Sequence, residues 1–152
     1  DVLYMLIHYS IASFELLERK LNEQEKEELY DVFFRMGQRM HVKELPSNYN
    51  AWAIKHQEQL QADLIKNSYT IDLYKQYRKH LGSFRYLLLL ESQKLVVPAQ
   101  VDKLMGFTGI KWLKLFVPFY KFSRSIKLDG LIKSIILPAK YMAEIKALDI
   151  KP

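Results

Sequence analysis

Apolar residues recur at helical spacing from the start of the chain. An α-helix over residues 2 to 20 is predicted, because apolar positions separated by three or four residues fall on one face of a helix. Asp1 is a plausible N-cap for it. The apolar positions of this segment are Val2, Leu3, Leu6, Ile7, Ile11, Phe14 and Leu17. They cover most sides of the helix, which predicts a central position in the fold.

Two more helices follow with their own start signals. Asn22 and Glu25 have the spacing of a capping box, and apolar residues then mark one face of a helix from about 23 to 40. Residues 42 to 46 form a connector that ends at a proline. Ser47 or Asn48 can cap the third helix, which is predicted to run to about residue 66. Its shared face consists of Tyr49, Trp52, Ala53, His56 and Leu60.

Glycine and proline divide the rest of the chain. A fourth helix is predicted to end at Leu81, with Gly82 as a left-handed C-terminal residue and Ser83 as the cap of a fifth. A short helix after Pro98 should stop at Gly106, and Pro118, Asp129 and Pro138 punctuate further helices. Leu87 to Leu90 is not taken as a strand, because leucine favours helices and no hairpin signal lies near it. The predicted fold class is all-α, a single orthogonal bundle of about seven or eight helices.

Length and composition favour one domain over residues 1 to 152. A chain of 152 residues with 49% hydrophobic and 26% charged residues has globular composition. It contains no cysteine, which excludes disulfides, thiolate metal sites and cysteine nucleophiles. No apolar run reaches the length of a membrane span. Since the chain opens on Asp1 without a signal sequence, we expect it to be part of a longer protein. The absence of cysteine favours a reducing compartment, and a cytoplasmic or peripheral membrane location is expected.

The positive charge is concentrated in the last third. Residues 1 to 100 hold equal numbers of basic and acidic residues, so the whole net charge of +6 comes from residues 101 to 152. Within this part, the lysines of residues 110 to 127 alternate with aromatic residues such as Trp112, Phe116 and Phe119. Two interpretations stay open: residues 110 to 140 contact an anionic membrane surface, or the aromatics cover the core and the lysines are solvated. No nucleic-acid recognition motif is present.

The histidines are the residues with the most chemistry to offer. His8, His41, His56 and His80 include no pair at the spacing of a helical metal site, and no metal site is predicted. His41 and His80 lie near helix ends, and His56 lies on the apolar face of Trp52, so structural roles are predicted for all three. His8 lies in the apolar first helix, where a titratable ring needs a partner. It is either a buried histidine bonded to a carbonyl or hydroxyl, or a ligand-binding or catalytic residue.

The spacing of several motifs resembles the family of MpaB-type and rubber oxygenase catalytic domains. That family shows an Asp, a few apolar residues and a His-Ala-Thr element on a helix, and here Asp1 precedes His8, Tyr9 and Ser10. The match extends to about residue 110. It continues through Leu21 to Glu25, Tyr30, Gly37, Met40 to Val42, Leu45, Pro46, Tyr49, Val97, Pro98 and Leu104 to Gly106.

The resemblance implies a haem-dependent oxygenase, of which this chain is the C-terminal part. Such a protein binds haem b between helices and acts with dioxygen on an apolar or lipid-like small molecule. His8 and Ser10 would then face the cofactor pocket. Tyr9 and Ser10 replace the family's Ala and Thr, and no stretch of this chain matches the His-and-Arg motif that carries the family's proximal histidine. The alternative is a non-catalytic helical module that binds a membrane surface or a partner through its basic last third.

Overall fold

The computed structural model describes residues 2–107 and 110–125, with side chains to residue 122. The described residues contain no strand, which confirms the all-α class. Six α-helices and one 3₁₀ helix are found in them, so the predicted count of seven or eight is not confirmed. They are α1 (Val2–Leu17), α2 (Glu23–Arg39), α3 (Tyr49–Ala62), α4 (Ser68–Val96), α5 (Ala99–Met105), the 3₁₀ helix η1 (Trp112–Phe116) and α6 (Val117–Ser125).

The helices form two compact units. Of the described residues, 2–67, 93–107 and 110 belong to the first unit and 68–92 and 111–125 to the second. In the first unit α1 packs on α2, α2 on α3, and α3 on α5, while in the second η1 packs on α6. The single domain over residues 1 to 152 stays a prediction. The helices expected around Asp129 and Pro138 lie outside the described residues.

Helix α1 contributes the most residues to the core of the first unit, but Val2 (76%) and Leu6 (47%) of its apolar pattern are exposed, so less of the helix is buried than that pattern predicts. It contributes four of the buried residues of the core, Leu3, Tyr4, Ile7 and Ile11. Tyr30 from α2 and Trp52 from α3 complete this buried cluster. The helix ends at Leu17, three residues before the predicted end.

Both ends of α2 are closed by local hydrogen bonds. The predicted capping box is confirmed: the Glu25 amide donates to Asn22 Oδ1 and the Asn22 amide donates to a Glu25 carboxylate oxygen, each over 2.9 Å. At the other end, the Val42 amide donates to the Gly37 carbonyl and the His41 amide to the Gln38 carbonyl. This is a Schellman motif, in which His41 takes the left-handed position with φ of 56°. His41 therefore has a backbone role at the helix end.

Gly37 allows a close approach between α1, α2 and the connector that follows α2. A Cβ atom at this position would lie 2.7 Å from Leu3 Cδ2 and 2.8 Å from Leu45 Cδ1. Both distances are too short for carbon atoms in contact. The absence of a side chain at Gly37 therefore determines how near the two leucines come to α2.

We expect Gly37→Ala to destabilise the protein. The clashing atoms are leucine methyl groups, and the buried position of Leu3 limits how far its side chain can shift. Overpacking of a buried site costs about 1–3 kcal/mol, which exceeds the ~1 kcal/mol that alanine gains over glycine in a helix. Urea unfolding followed by circular dichroism measures the difference. Val32→Ala, at an exposed position of the same helix, is the control and should change the free energy of unfolding by less than about 0.5 kcal/mol. A Gly37→Ala protein as stable as the wild type would contradict the close packing.

The remaining breaks follow the glycines. Asn48 caps α3 by accepting from the Ala51 amide over 2.8 Å, and α3 ends at Ala62 rather than near residue 66. Gly82 has φ of 72° and ψ of 170°, a non-helical conformation inside α4 that confirms the predicted break. Gly106 ends α5 in the left-handed conformation, as predicted. No helix among the described residues combines the length and hydropathy that crossing a membrane requires.

Candidate histidine site

His8 lies in the second turn of α1 and is half-buried. Its Nε2 atom is 3.3 Å from the carbonyl oxygen of Val96, at the end of α4 and within the same compact unit. Because a carbonyl only accepts, Nε2 carries the proton and donates, which leaves Nδ1 as the acceptor of a neutral ring. The carbonyl partner fits the structural interpretation of His8. It also leaves one nitrogen for another group.

The structure brings His56 next to His8. The two ring centroids are 5.3 Å apart with the planes inclined by 46°. Tyr4 and His8 are four residues apart on α1, and Trp52 and His56 are four residues apart on α3, so each pair shares one helix face. These two faces meet. His56 stacks on Trp52 with ring centroids 5.1 Å apart, and Tyr4 meets His56 in a T-shaped contact with centroids 6.2 Å apart.

His56 is almost completely buried, with 3% of its surface exposed. Its place in the core confirms the predicted packing beside Trp52. Its Nε2 atom has no hydrogen-bond partner among the described residues. A buried ring nitrogen without a partner is costly, and such atoms in native proteins are usually explained by a ligand, an ion or water.

Burial keeps both rings neutral at pH 7. It lowers the pKa of His56 from 6.5 to about 4, with the nearby His8 as a second cause. Burial also lowers the pKa of His8, although the hydrogen bond to the Val96 carbonyl opposes this shift. Two neutral imidazoles can each donate through one nitrogen and accept or coordinate through the other. The pair is therefore suited to meeting a polar atom or a metal centre rather than an anion.

Ser10 does not lie on the same face of α1 as His8. Residues two apart in an α-helix project about 160° away from each other, so a pocket that contacts both would have to extend around the helix. Ser10 is half-buried. Its predicted place beside a cofactor stays a prediction.

The other residues of the family-like pattern are brought together as packing elements. The Tyr30 hydroxyl donates to the Pro46 carbonyl over 2.6 Å, and burial raises the pKa of Tyr30 to about 12. Tyr49 stacks at an angle on Trp52 with centroids 5.4 Å apart. Together with Gly37 and Leu45 these residues hold α1, α2 and α3 together. These residues hold in place the helices that carry His8 and His56, and we assign them no chemical role at the two imidazole rings.

The contact between His56 and His8 was not predicted from the sequence. The signal was present, since an aromatic residue precedes each histidine by four positions on two apolar helix faces. His41 and His80 are exposed and belong to other parts of the structure. In the part of the chain that the structure describes, no group of three histidine or acidic residues is arranged to hold a metal ion.

The chain was compared with protein families, with curated proteins and with solved structures. No family model, curated protein or solved structure matches it. Function is therefore inferred from the site and from the sequence pattern.

Proposed function

We propose that this chain is the C-terminal part of a haem-dependent oxygenase domain that acts with dioxygen on an apolar or lipid-like substrate. Support comes from the pattern of residues 1 to about 110, which resembles MpaB-type and rubber oxygenase domains. In that family the helix carrying the His-Ala-Thr element lines the haem pocket. The corresponding element here is His8 to Ser10 on α1.

The observation that carries the proposal is the neutral histidine pair. A haem pocket between helices requires apolar and aromatic walls with few polar groups, and these groups must be uncharged or paired. The wall formed by α1 and α3 meets this requirement with Tyr4, Trp52 and the two histidines. The unpartnered His56 Nε2 is a polar atom of the kind that a bound group would satisfy. These residues suit a haem in their chemistry, whereas Tyr4 (5% exposed), Trp52 (3%) and His56 (3%) are buried against one another, so half-buried His8 is the member of the wall that a haem could contact.

Haem b bound at this wall would supply the iron centre that binds and activates dioxygen. The proximal ligand is assigned to no residue here, because the family's His-and-Arg motif has no match in the chain. His8 is proposed as a pocket residue whose ring is held by the Val96 carbonyl. Trp52 and Tyr4 exclude water from His56 and keep it neutral. The orthogonal bundle of seven or eight helices belongs to the same proposal.

Haem content tests the proposal. The protein, purified as the cell makes it and reconstituted with haem, should show a Soret band. His8→Leu should shift this band or weaken haem binding by about tenfold or more, the size of effect that losing an outer-shell group has at other metal sites. The matched control is His80→Leu, at an exposed position of the second unit, which should leave spectrum and affinity unchanged.

Two results would remove the oxygenase proposal. One is a protein that stays colourless after reconstitution. The other is a His8→Leu protein whose helical content, Soret band and haem affinity all equal those of the wild type, since His8 would then have no part in the site.

A further inference from the structure

Apolar side chains project into solvent along η1 and α6. Four residues within eight positions are more than half exposed: Leu115 (71%), Phe116 (54%), Phe119 (73%) and Phe122 (67%). We call these four residues the aromatic face. Exposed apolar side chains that are adjacent rather than scattered indicate a surface that binds something.

The rings of this segment are in contact with one another. Trp112 meets Phe116 edge to face with centroids 5.7 Å apart, and Phe116 lies 6.4 Å from Phe119. Phe119 and Phe122 are three residues apart on α6 and therefore share a side of that helix. The result is a row of three neighbouring rings, those of Trp112, Phe116 and Phe119, with Phe122 on the same side of α6 as Phe119. Such a row presents one apolar edge to whatever covers it.

The charge along the sequence of this segment has one sign. Residues 111 to 128 contain five basic residues and no acidic one. Lys111 and Lys114 are exposed and lie in or directly before η1. A second copy of this surface would bring the same positive charges together, which disfavours self-association. A partner rich in negative charge and able to take up phenylalanine side chains fits better.

We propose that η1 and α6 lie on an anionic lipid surface. The aromatic face enters the boundary between headgroups and acyl chains, and the lysines reach the headgroup phosphates along their own alkyl chains. Apolar insertion and electrostatic attraction are both required by this proposal. Insertion alone would not distinguish anionic from neutral lipids, and attraction alone would not depend on the exposed phenylalanine rings. This inference concerns the second unit and does not depend on haem binding.

Vesicle binding tests the inference with Trp112 as an internal probe. Trp52 is buried and gives a constant background, whereas Trp112 is half-buried and adjoins the aromatic face. Vesicles of phosphatidylcholine with added phosphatidylserine should shift Trp112 emission to the blue and sediment the protein. Pure phosphatidylcholine vesicles should bind it at least about tenfold more weakly, and salt should weaken binding to the anionic vesicles.

Two double variants separate the contributions. Phe119→Ser with Phe122→Ser should weaken binding by about tenfold or more through lost insertion. Lys111→Gln with Lys114→Gln should weaken it by about 25-fold, since each lysine near an anionic surface contributes roughly a factor of five. The control variant, Val32→Ser with Ile54→Ser, removes two exposed apolar residues from the first unit and should bind like the wild type.

The inference is overturned by equal binding to both kinds of vesicle, by no binding, or by Phe119→Ser with Phe122→Ser binding as the wild type does. Sedimentation velocity and a single-stranded oligonucleotide titration cover the other occupants. A dimer that this phenylalanine variant abolishes, or tighter binding to the oligonucleotide than to anionic vesicles at the same salt concentration, would also overturn it. Circular dichroism of every variant establishes that the helices are retained.

Discussion

Trp52→Ala is expected to destabilise the first unit by about 3–5 kcal/mol. Trp52 is 3% exposed and its ring lies within 6.3 Å, between centroids, of four other rings. These rings come from all three of the first helices and are those of Tyr4, Tyr30, Tyr49 and His56. Removing the indole leaves a cavity at the centre of the cluster, and the aromatic contacts are lost with it.

Urea unfolding followed by far-ultraviolet circular dichroism measures this loss. Trp52→Phe should cost much less than Trp52→Ala, because a ring remains and the buried Trp52 Nε1, which has no partner among the described residues, is removed. Trp112→Ala is the control for loss of an indole, and its smaller effect follows from the half-burial of Trp112. A Trp52→Ala protein as stable as Trp112→Ala would contradict the central position of Trp52.

Acidification from pH 6.5 to about 4 is expected to cost roughly 3 kcal/mol through His56 alone. In the unfolded chain His56 binds a proton below pH 6.5, whereas in the folded protein it does so only near pH 4. The unfolded state therefore gains protons first, so stability is complete above pH 6.5 and declines as the pH falls through this window. The pKa of His8 is shifted downward as well and acts in the same direction.

The free energy of unfolding at a series of pH values tests this. In His56→Gln the slope between pH 6.5 and 4 should become markedly shallower. The lowered pKa of Glu25, about 2, affects stability at lower pH, because that carboxyl loses its contribution as the pH falls from 4.5 through 2. Equal slopes for the wild type and His56→Gln would show that His56 is not held neutral by the fold.

Local signals in the sequence predicted most of the described helices. The Asn22 and Glu25 capping box, the Asn48 cap, the break at Gly82 and the stop at Gly106 each depend on residues close together in the chain. The end of α3 was placed four residues too late because no glycine or proline lies between Ala62 and the start of α4 at Ser68. Where local chemistry does not mark a helix end, tertiary packing decides it.

The site was predictable only in part. The sequence predicted that His8, inside an apolar helix, has a hydrogen-bond partner. It did not predict which group this is, because that depends on how α1 packs on elements far along the chain. Val96 is 88 residues away and His56 is 48 residues away. Neither the carbonyl contact nor the ring contact follows from periodicity, because periodicity gives the face of a helix and not what it meets. The exposure of Phe119 and Phe122 likewise needed the structure.

The proposed haem site depends on His8 and His56 being neutral neighbours in the wall formed by α1 and α3. A nuclear magnetic resonance titration of the imidazole C–H signals measures this directly, with His8→Gln and His56→Gln assigning the two rings. We expect His56 to remain neutral until the pH approaches 4, His8 to titrate below 6.5, and His8→Gln to alter the titration of His56. Two independent titrations near pH 6.5 would contradict the account.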